Sequence, residues 1–566
     1  MRILRTAALG AFLLHPVALG AQVGQNVLLI VGDDLGLDAV RCYGSSGAPP
    51  TPVMDALAAT GVRFTRAYVN PACSPTRACI STGRYGFRTG VPTTIGPGDP
   101  GLNADETILP VAFQGTAFST ALVGKWNLGA RFGLLTPNQF GWPHFAGILD
   151  PAVQDYYLWV KVVDGQLVAV NRYATTEMVD DALLWINAQS GPWVLQLAFN
   201  APHAPFHAPP AYLHTQNLAG LDPAVTPRPF FDAMVQALDS EIGRLLASLP
   251  ASTLANTNII VVGDNGTDGA IALPPMNPMR VKGSLYDGGS HVPLIVHGPA
   301  VLQPGRTSSA LVSGVDLMPT ILDLCHVPPP ASVGVHPLDG VSFVPLLQNS
   351  LPSVRDHVYV DMSSSYSGGG YAIRDAVWEL LRIQSQLPQH QEMYDYAADP
   401  LETTDLLTSP LSGAAAAACS RLSAILDRLR PDGWVEEFGS GCAGASGPPH
   451  MRAQTMPTVG SSFFFQVDDM SSAAILPLAL LGFSDTSVNG IPLPISLSSL
   501  GMPGCSLYVS ADGYPHPAPN GWGAFAIPNY AVYDRMVFHL QAFVVEPGAN
   551  HSGVIASSGL HCIVGM

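Results

Sequence analysis

The sequence predicts an α/β protein: a doubly wound sheet flanked by helices, then a small α+β region, then an all-β region. Three observations carry this. Continuous apolar runs of strand length recur at residues 27–32, 193–199 and 259–263, as parallel strands buried on both faces require. Helical spacing of apolar residues lies between them. The pattern then changes twice, near residue 340 and again after Gly439.

The elements follow in order. Residues 1–21 read as a signal peptide: Arg2 and Arg5 precede an apolar run from Ala7 to Leu14, and Ala18, Gly20 and Ala21 offer a cleavage site. That run is shorter than a bilayer span needs, so export to the periplasm or outside the cell is expected, with no membrane span. Residues 22–339 form the α/β domain. The run at 27–32 delivers Asp33-Asp34, the run at 259–263 delivers Asp264-Asn265, and the run at 193–199 delivers Asn200-Ala201-Pro202-His203. Ligands in open α/β sheets bind at that carboxyl edge. Residues 173–188 carry Met178, Ala182, Leu183 and Ile186 on one helical face. Residues 230–249 repeat the spacing with Phe230, Met234, Leu238, Ile242, Leu245 and Leu249. Residues 340–435 offer short strands near 357–361, 371–375 and 377–383, then an Ala-rich helix around 411–430. Residues 440–566 are rich in Gly, Ser and Pro, with short apolar segments at 461–467, 474–481 and 536–544. They read as an all-β module, a sandwich.

Composition narrows the function classes. Hydrophobic residues make up 47% and charged ones 12%, with 56 Gly and 51 Pro, which describes a loop-rich globular chain of two or three domains. A net charge of −17 argues against nucleic acid or anionic membranes as partners. An anionic substrate must therefore be caught by local cations. Eight cysteines are present. Their connectivity is not readable from spacing; Cys442 and Cys505, close together in the C-terminal region, are the expected pair.

Two constellations carry chemistry. In Cys73-Ser74-Pro75-Thr76-Arg77, a helix with Pro75 in its first turn presents free N–H groups and its positive dipole end toward Cys73. Arg77 adds a fixed cation. The arrangement suits a nucleophile attacking a sulfate or phosphate ester; an ordinary buried cysteine before a helix would look the same. Asp33, Asp34, Asp264 and Asn265 supply hard oxygens, which suit Ca²⁺ or Mg²⁺ rather than zinc. One Asp-Asp pair after a strand is also a common turn. Two matched strand ends favour a metal.

The first constellation, with Thr82-Gly83-Arg84, resembles the type I sulfatase signature, Cys-x-Pro-Ser/Thr-Arg followed by Thr-Gly-Arg. Further segments resemble that family in order: Gly124-Lys125-Trp126-Asn127-Leu128-Gly129, Ala201-Pro202-His203-Ala204-Pro205, Lys282-Gly283 through Asp287-Gly288-Gly289, Val315-Asp316-Leu317-Met318-Pro319-Thr320, and Met393-Tyr394-Asp395 with Asp399-Pro400-Leu401-Glu402. The resemblance covers most of residues 25–430. It implies an alkaline-phosphatase-like fold and a calcium-dependent sulfuric ester hydrolase. A maturation enzyme would convert Cys73 to formylglycine, whose hydrated aldehyde attacks sulfur. Seven cysteines would then remain, leaving at least one unpaired. A single Ca²⁺ would be held by Asp33, Asp34, Asp264, Asn265 and the modified Cys73. Arg77 would stabilise the hydrate, Lys125 and Lys282 would grip sulfate oxygens, and His203 would protonate the departing alcohol. Taken singly, such a lysine is usually a surface residue and such a histidine a loop residue.

Asn127 departs from the pattern, standing where the family has His. Asn can hydrogen-bond but cannot exchange a proton at neutral pH, so release of sulfate is expected to be slower, to use another base, or not to occur. This keeps two alternatives open: a phosphodiesterase or phosphonate ester hydrolase on the same fold, and a pseudo-sulfatase that binds sulfated glycans without cleaving them. Thr76 and Ser81 are milder departures. The substrate, an aryl or carbohydrate sulfate, is not encoded in any readable motif; loops at 130–172 and 204–228 are expected to select it. In the C-terminal module, Tyr514, Trp522 and Tyr530 are candidates either for sugar stacking or for the core.

Overall fold

The apolar runs form the centre of one large sheet. In the computed structural model the described residues are 24–564 except 97–100, 105, 331–336, 363–368, 384–389, 430–433, 445, 456, 458–460, 473, 475, 489–490, 516, 519 and 528–535. The expected signal peptide and Tyr530 lie outside them. The sheet's strands, in chain order, are β1 (Asn26–Gly32), β2 (Val62–Tyr68), β3 (Ser119–Lys125), β4 (His144–Ile148), β5 (Trp159–Val163), β6 (Gln166–Val170), β7 (Trp193–Ala198), β8 (Thr257–Gly263), β9 (His291–His297), β10 (Arg306–Ser308) and β11 (Val312–Ser313). Their spatial order is β10-β2-β9-β8-β1-β7-β3-β4-β5-β6, with β11 paired to β2.

The central strands β8, β1, β7, β3 and β4 are parallel, and β9 and β5 flank them antiparallel. Every residue of β1 and β8 is buried. Alternate side chains go to opposite faces: Val27, Leu29 and Val31 join one core, Leu28 and Ile30 the other. The second core takes the helices Ala174–Asn187 and Pro227–Ser248, close to the expected spans, with Met178, Ala182, Met234 and Leu238 buried. The first takes the helices Cys73–Thr82 and Leu317–Leu324.

Residues 130–172, expected as a loop, contain β4, β5 and β6. The β5–β6 hairpin turns on Asp164-Gly165, both at positive φ (46° and 82°). A two-residue turn of that kind matches the right-handed twist of the flanking strands.

The next sheet is antiparallel: β12 (Val358–Met362), β13 (Gly370–Arg374), β14 (Trp378–Ile383) and β15 (His390–Asp395). One face, with Tyr359, Ile373 and Leu380, packs on the helix Gly413–Leu429. The other, with Val358, Val360 and Leu381, packs on Tyr68, Leu285 and Tyr286 of the large domain.

The C-terminal strands are β16 (Trp434–Phe438), β17 (His450–Ala453), β18 (Ser462–Asp468), β19 (Leu476–Gly482), β20 (Ser487–Val488), β21 (Ile491–Pro492), β22 (Ile495–Ser496), β23 (Ser506–Leu507), β24 (Trp522–Ala526), β25 (Val537–Val545) and β26 (Val554–Ile563). Sheets β16-β26-β25-β19 and β17-β18-β24 share a core that includes Phe463, Phe465, Phe538, Leu540 and Leu560. β16 begins before the expected boundary at residue 440, because its ladder partner is β26. Cys442 and Cys505 are disulfide-bonded; Cys42, Cys73, Cys79, Cys325, Cys419 and Cys562 are free thiols.

Candidate active site

The parallel register makes the site. Gly32 on β1 pairs with Gly263 on β8, so Asp33-Asp34 and Asp264-Asn265 leave the sheet side by side at its carboxyl edge. The backbone N–H of Asp34 donates to Asp264 Oδ1 at 3.1 Å. The side-chain amide of Asn265 donates to Asp34 Oδ1 at 2.8 Å. Lys125 is the last residue of β3, on the same edge. Its neighbour Gly124 has φ 107°, and a Cβ there would meet the Ala198 carbonyl oxygen at 1.9 Å. Only glycine permits that approach of β3 to β7.

Cys73 is itself the first residue of its helix, following Ala72 in extended conformation. Pro75 sits in the first turn, where N–H groups have no intrahelical acceptor, so its missing hydrogen costs nothing. The helix stops at Gly83, φ 67°, whose N–H caps the Cys79 carbonyl at 2.9 Å. Ser74 and Thr76 tie the segment down: Ser74 Oγ accepts from Ile95 N at 2.9 Å, and Thr76 Oγ1 donates to Asn70 O at 2.9 Å.

Three cations face three carboxylates. Arg77 donates through Nη2 and Nε to Asp264 Oδ2 at 2.6 and 3.0 Å, and through Nη1 to the Lys125 carbonyl at 3.1 Å. Lys125 Nζ lies 2.6 Å from Asp33 Oδ2. Lys282 Nζ lies 2.6 Å from Asp34 Oδ1. Arg77, Lys125, Asp33 and Asp264 are fully buried, whereas the side chains of Lys282 and His203 are 20% exposed. The pocket is thus close to neutral inside a strongly acidic protein, and a local anion is not repelled. Burial alone would raise the Asp33 carboxyl, but Lys125, with His203, Arg77 and Lys282, holds it well below the usual range. Burial, then the charge of Asp33, pushes Asp264 up. Burial would lower the Lys282 ammonium, but Asp34 raises it further.

The donor set fits a hard divalent cation. Asp33 Oδ1 and Asn265 Oδ1 are buried without a hydrogen-bond partner, and unpaired buried oxygens are costly. Asp33, Asp34 and His203 each bring one atom within 4.8 Å of the others. Such oxygens suit Ca²⁺. His203 therefore stands nearer the carboxylates than its expected role required: Nε2 is 3.9 Å from Asp34 Oδ2. Its Nδ1 lies 2.6 Å from the Ala204 carbonyl. That oxygen can only accept, so Nδ1 carries the hydrogen and Nε2 faces the pocket.

Asn127 Nδ2 donates to Cys73 Sγ at 3.1 Å. Asn127 has φ 50°, a conformation that Asn and His tolerate better than most residues. Its Oδ1 is buried without a partner.

Tyr156 escaped sequence reasoning. Its hydroxyl lies 2.7 and 2.8 Å from the carbonyl oxygens of Asn200 and His203, fixing the loop that presents His203. No motif surrounds it, so no local signal could have found it. The motif residue Asp287 proves to lie outside the pocket. It pairs with Arg374 and, at 3.1 Å, with His291, tying the start of β9 to β13. Trp522 and Phe464 of the sheet β17-β18-β24 line a cavity of about 50 Å³ with Pro92 and Ile95, in the loop after the Cys73 helix. Tyr514 is 56% exposed. A larger cavity of about 350 Å³ lies at the opposite, amino ends of β1 and β7, lined by Asn26 and Trp193.

Comparison with known proteins places these features. Residues 25–327 match the family model described as Sulfatase, and residues 281–429 match that of N-sulphoglucosamine sulphohydrolase, C-terminal. Arylsulfatase J of Mus musculus is 27% identical over 63% of this chain and 63% of its own length. N-acetylgalactosamine-6-sulfatase of Sus scrofa is 30% identical over 59% of this chain and 68% of its own. The uncharacterized sulfatase YdeN of Escherichia coli (strain K12) is 30% identical over 56% of this chain and 60% of its own. The chain thus spans roughly two thirds or less of these relatives. The crystal structure of Ps i-CgsB in complex with k-i-k-neocarrahexaose superposes with a TM-score of 0.61 at 26% identity, over 72% of this chain and 92% of that one.

Proposed function

Because the chain belongs to the sulfatase family, we propose that it hydrolyses sulfate esters carried on carbohydrates, using a formylglycine made from Cys73 and one Ca²⁺. The observation that carries this reading is the gathering of Cys73, Arg77, Lys125 and Lys282 with Asp33, Asp34 and Asp264 in one buried pocket at the sheet's carboxyl edge. The names of similar proteins, an N-acetylgalactosamine-6-sulfatase and a complex with a neocarrahexaose, support a sulfated carbohydrate over a simple aryl sulfate.

Asp33, Asp34, Asp264, Asn265 and the modified position 73 would hold the cation, which when bound supplies polarisation of a sulfate oxygen and of the attacking hydroxyl. Lys282 reaches solvent and has N–H bonds to spare beyond Asp34, so it meets the incoming sulfate. Lys125 is enclosed and bonded to Asp33. It opposes the growing negative charge from behind the carboxylate. Arg77 fixes Asp264 against the helix of residue 73. His203 Nε2, open to the pocket, protonates the departing alcohol oxygen when the ring carries hydrogens on both nitrogens, and the Nδ1–H stays on the Ala204 carbonyl. Cys73 is 3% exposed, so a maturation enzyme must meet it before the chain folds. Export rests on the arginine-then-apolar start of the sequence; among the described residues no helix is long and apolar enough to cross a membrane.

Asn127 supports a second reading, tight binding of a sulfated glycan with little turnover, since its amide touches Cys73 yet cannot take up a proton. One experiment separates the readings. The chain is produced with a formylglycine-generating enzyme, the residue-73 peptide is checked by mass spectrometry, and sulfate and phosphate release are measured on matched esters. Sulfate release that vanishes in Cys73→Ala supports the first reading. Glycan binding without release supports the second, and preference for the phosphate ester points to a phosphodiesterase instead. Full activity in Cys73→Ala sinks the mechanism.

A further inference from the structure

The C-terminal sheets hold a second cluster that takes no part in the chemistry above. His539 on β25 and His561 on β26 are direct partners in the antiparallel ladder. Directly paired residues project from the same face, and the two rings stand 4.7 Å apart. Asp485, in the connection between β19 and β20, reaches over them. Its Oδ2 lies 3.9 Å from His539 Nδ1 and 3.6 Å from His561 Nδ1. Both separations are too long for hydrogen bonds. They are near the spacing of neighbouring ligands around a small cation: donors about 2.0–2.1 Å from a tetrahedral metal stand roughly 3.3 Å apart. One atom from each residue lies within 4.8 Å of the other two.

A second observation points the same way. The His539 side chain is 2% exposed, and its Nδ1 has no hydrogen-bond partner. A buried imidazole nitrogen aimed at a carboxylate it does not reach calls for something between them. The His561 and Asp485 side chains are 28% and 36% exposed, so an ion has a path in and a water has room to complete the coordination.

We propose that Asp485, His539 and His561 bind one divalent transition-metal ion of the zinc class. Two imidazoles and one carboxylate favour such a borderline cation, whereas Ca²⁺ takes all-oxygen sets. The metal would pin the β19–β20 connection to the β25–β26 ladder. The site is independent of sulfate hydrolysis and of the ion at the sheet edge.

The test uses the full chain saturated with Ca²⁺, so that the carboxylate pocket is occupied. Zn²⁺ is titrated calorimetrically, and Co²⁺ serves as an optical probe. The expected result is one Zn²⁺ site and a visible Co²⁺ band of tetrahedral type. His561→Ala and Asp485→Asn should each weaken Zn²⁺ by about 100-fold or more, since loss of a direct ligand costs at least what loss of its outer partner does. Both residues are part-exposed, so the variants should fold, and circular dichroism without zinc checks this. Absence of Zn²⁺ binding in the wild type, or equal binding by wild type and both variants, overturns the proposal.

Discussion

At the scale of single residues, Asn127 holds the sharpest question. Its Nδ2 lies 3.1 Å from Cys73 Sγ, a contact that an imidazole could also make. The left-handed backbone at φ 50° admits histidine. Asn127→His should therefore raise kcat by about 10-fold or more, because a general base commonly contributes 100-fold or above. Steady-state turnover of a sulfate ester measures it; an unchanged or lower kcat would place the slow step elsewhere. Tyr156 is a positioning residue. Tyr156→Phe removes the hydroxyl bonded to the Asn200 and His203 carbonyls. It should lower kcat several-fold with little change in KM in steady-state turnover of a sulfate ester, whereas a rise in KM with kcat unchanged would refute the positioning role. Asp33, Asp34, Lys125, His203, Asp264 and Lys282 were all legible, because each follows a strand or sits in a short motif. Tyr156 was not, since its partners lie 44 and 47 residues away.

At the scale of elements, the junction between the large domain and the β12–β15 sheet turns on Arg374. From β13 it binds Asp287 and Glu379, and Glu402 at 3.0 Å. Its guanidinium also lies over Tyr68 and Tyr396, at 4.5 and 4.6 Å from the ring centres. Burial would raise Asp287, but His291 and Arg374 hold its carboxyl far below the usual range. The sign follows from that depression. In the unfolded chain an Asp titrates near pH 4, so the stabilisation is present above about pH 4 and is lost as pH falls further. Asp287→Asn should cost about 3–5 kcal/mol at pH 7, as breaking a buried pair does, and should flatten the acid limb of stability. Urea unfolding at pH 7 and at pH 3 checks both; a constant difference between the two pH values would refute the ionic account. The strand runs were readable because parallel strands are apolar throughout. β4, β5 and β6 were not, since the β5–β6 ribbon lies at the sheet's edge with exposed Leu158, Val160 and Leu167. Its alternation competes with a loop reading.

At the scale of the whole molecule, the C-terminal sheets depend on the Cys442–Cys505 bond, which closes a loop of 63 residues. In the chain-entropy account such a closure contributes about 4 kcal/mol. Cys442→Ser with Cys505→Ser should weaken these sheets by about that much, seen as faster hydrogen exchange along β25 and β26, while β1 and β8 keep their protection. Equal loss in both regions would mean that the molecule unfolds as one unit. Trp522 packs beside the loop after the Cys73 helix, a contact between segments more than 400 residues apart that no local pattern announces.

What the sequence determined by itself was everything carried by short-range order: buried strands, the residues placed just past their ends, the cysteine ahead of a proline, and the departure at Asn127. Those features depend on period and spacing, which a linear chain displays. Tertiary structure alone decided which strand ends meet, that Lys125 is sealed behind Asp33 while Lys282 reaches solvent, and that Asp485 stands near two histidines paired across a ladder. Such facts depend on strand order and register, and on burial, which appear only when distant segments share a dry interior.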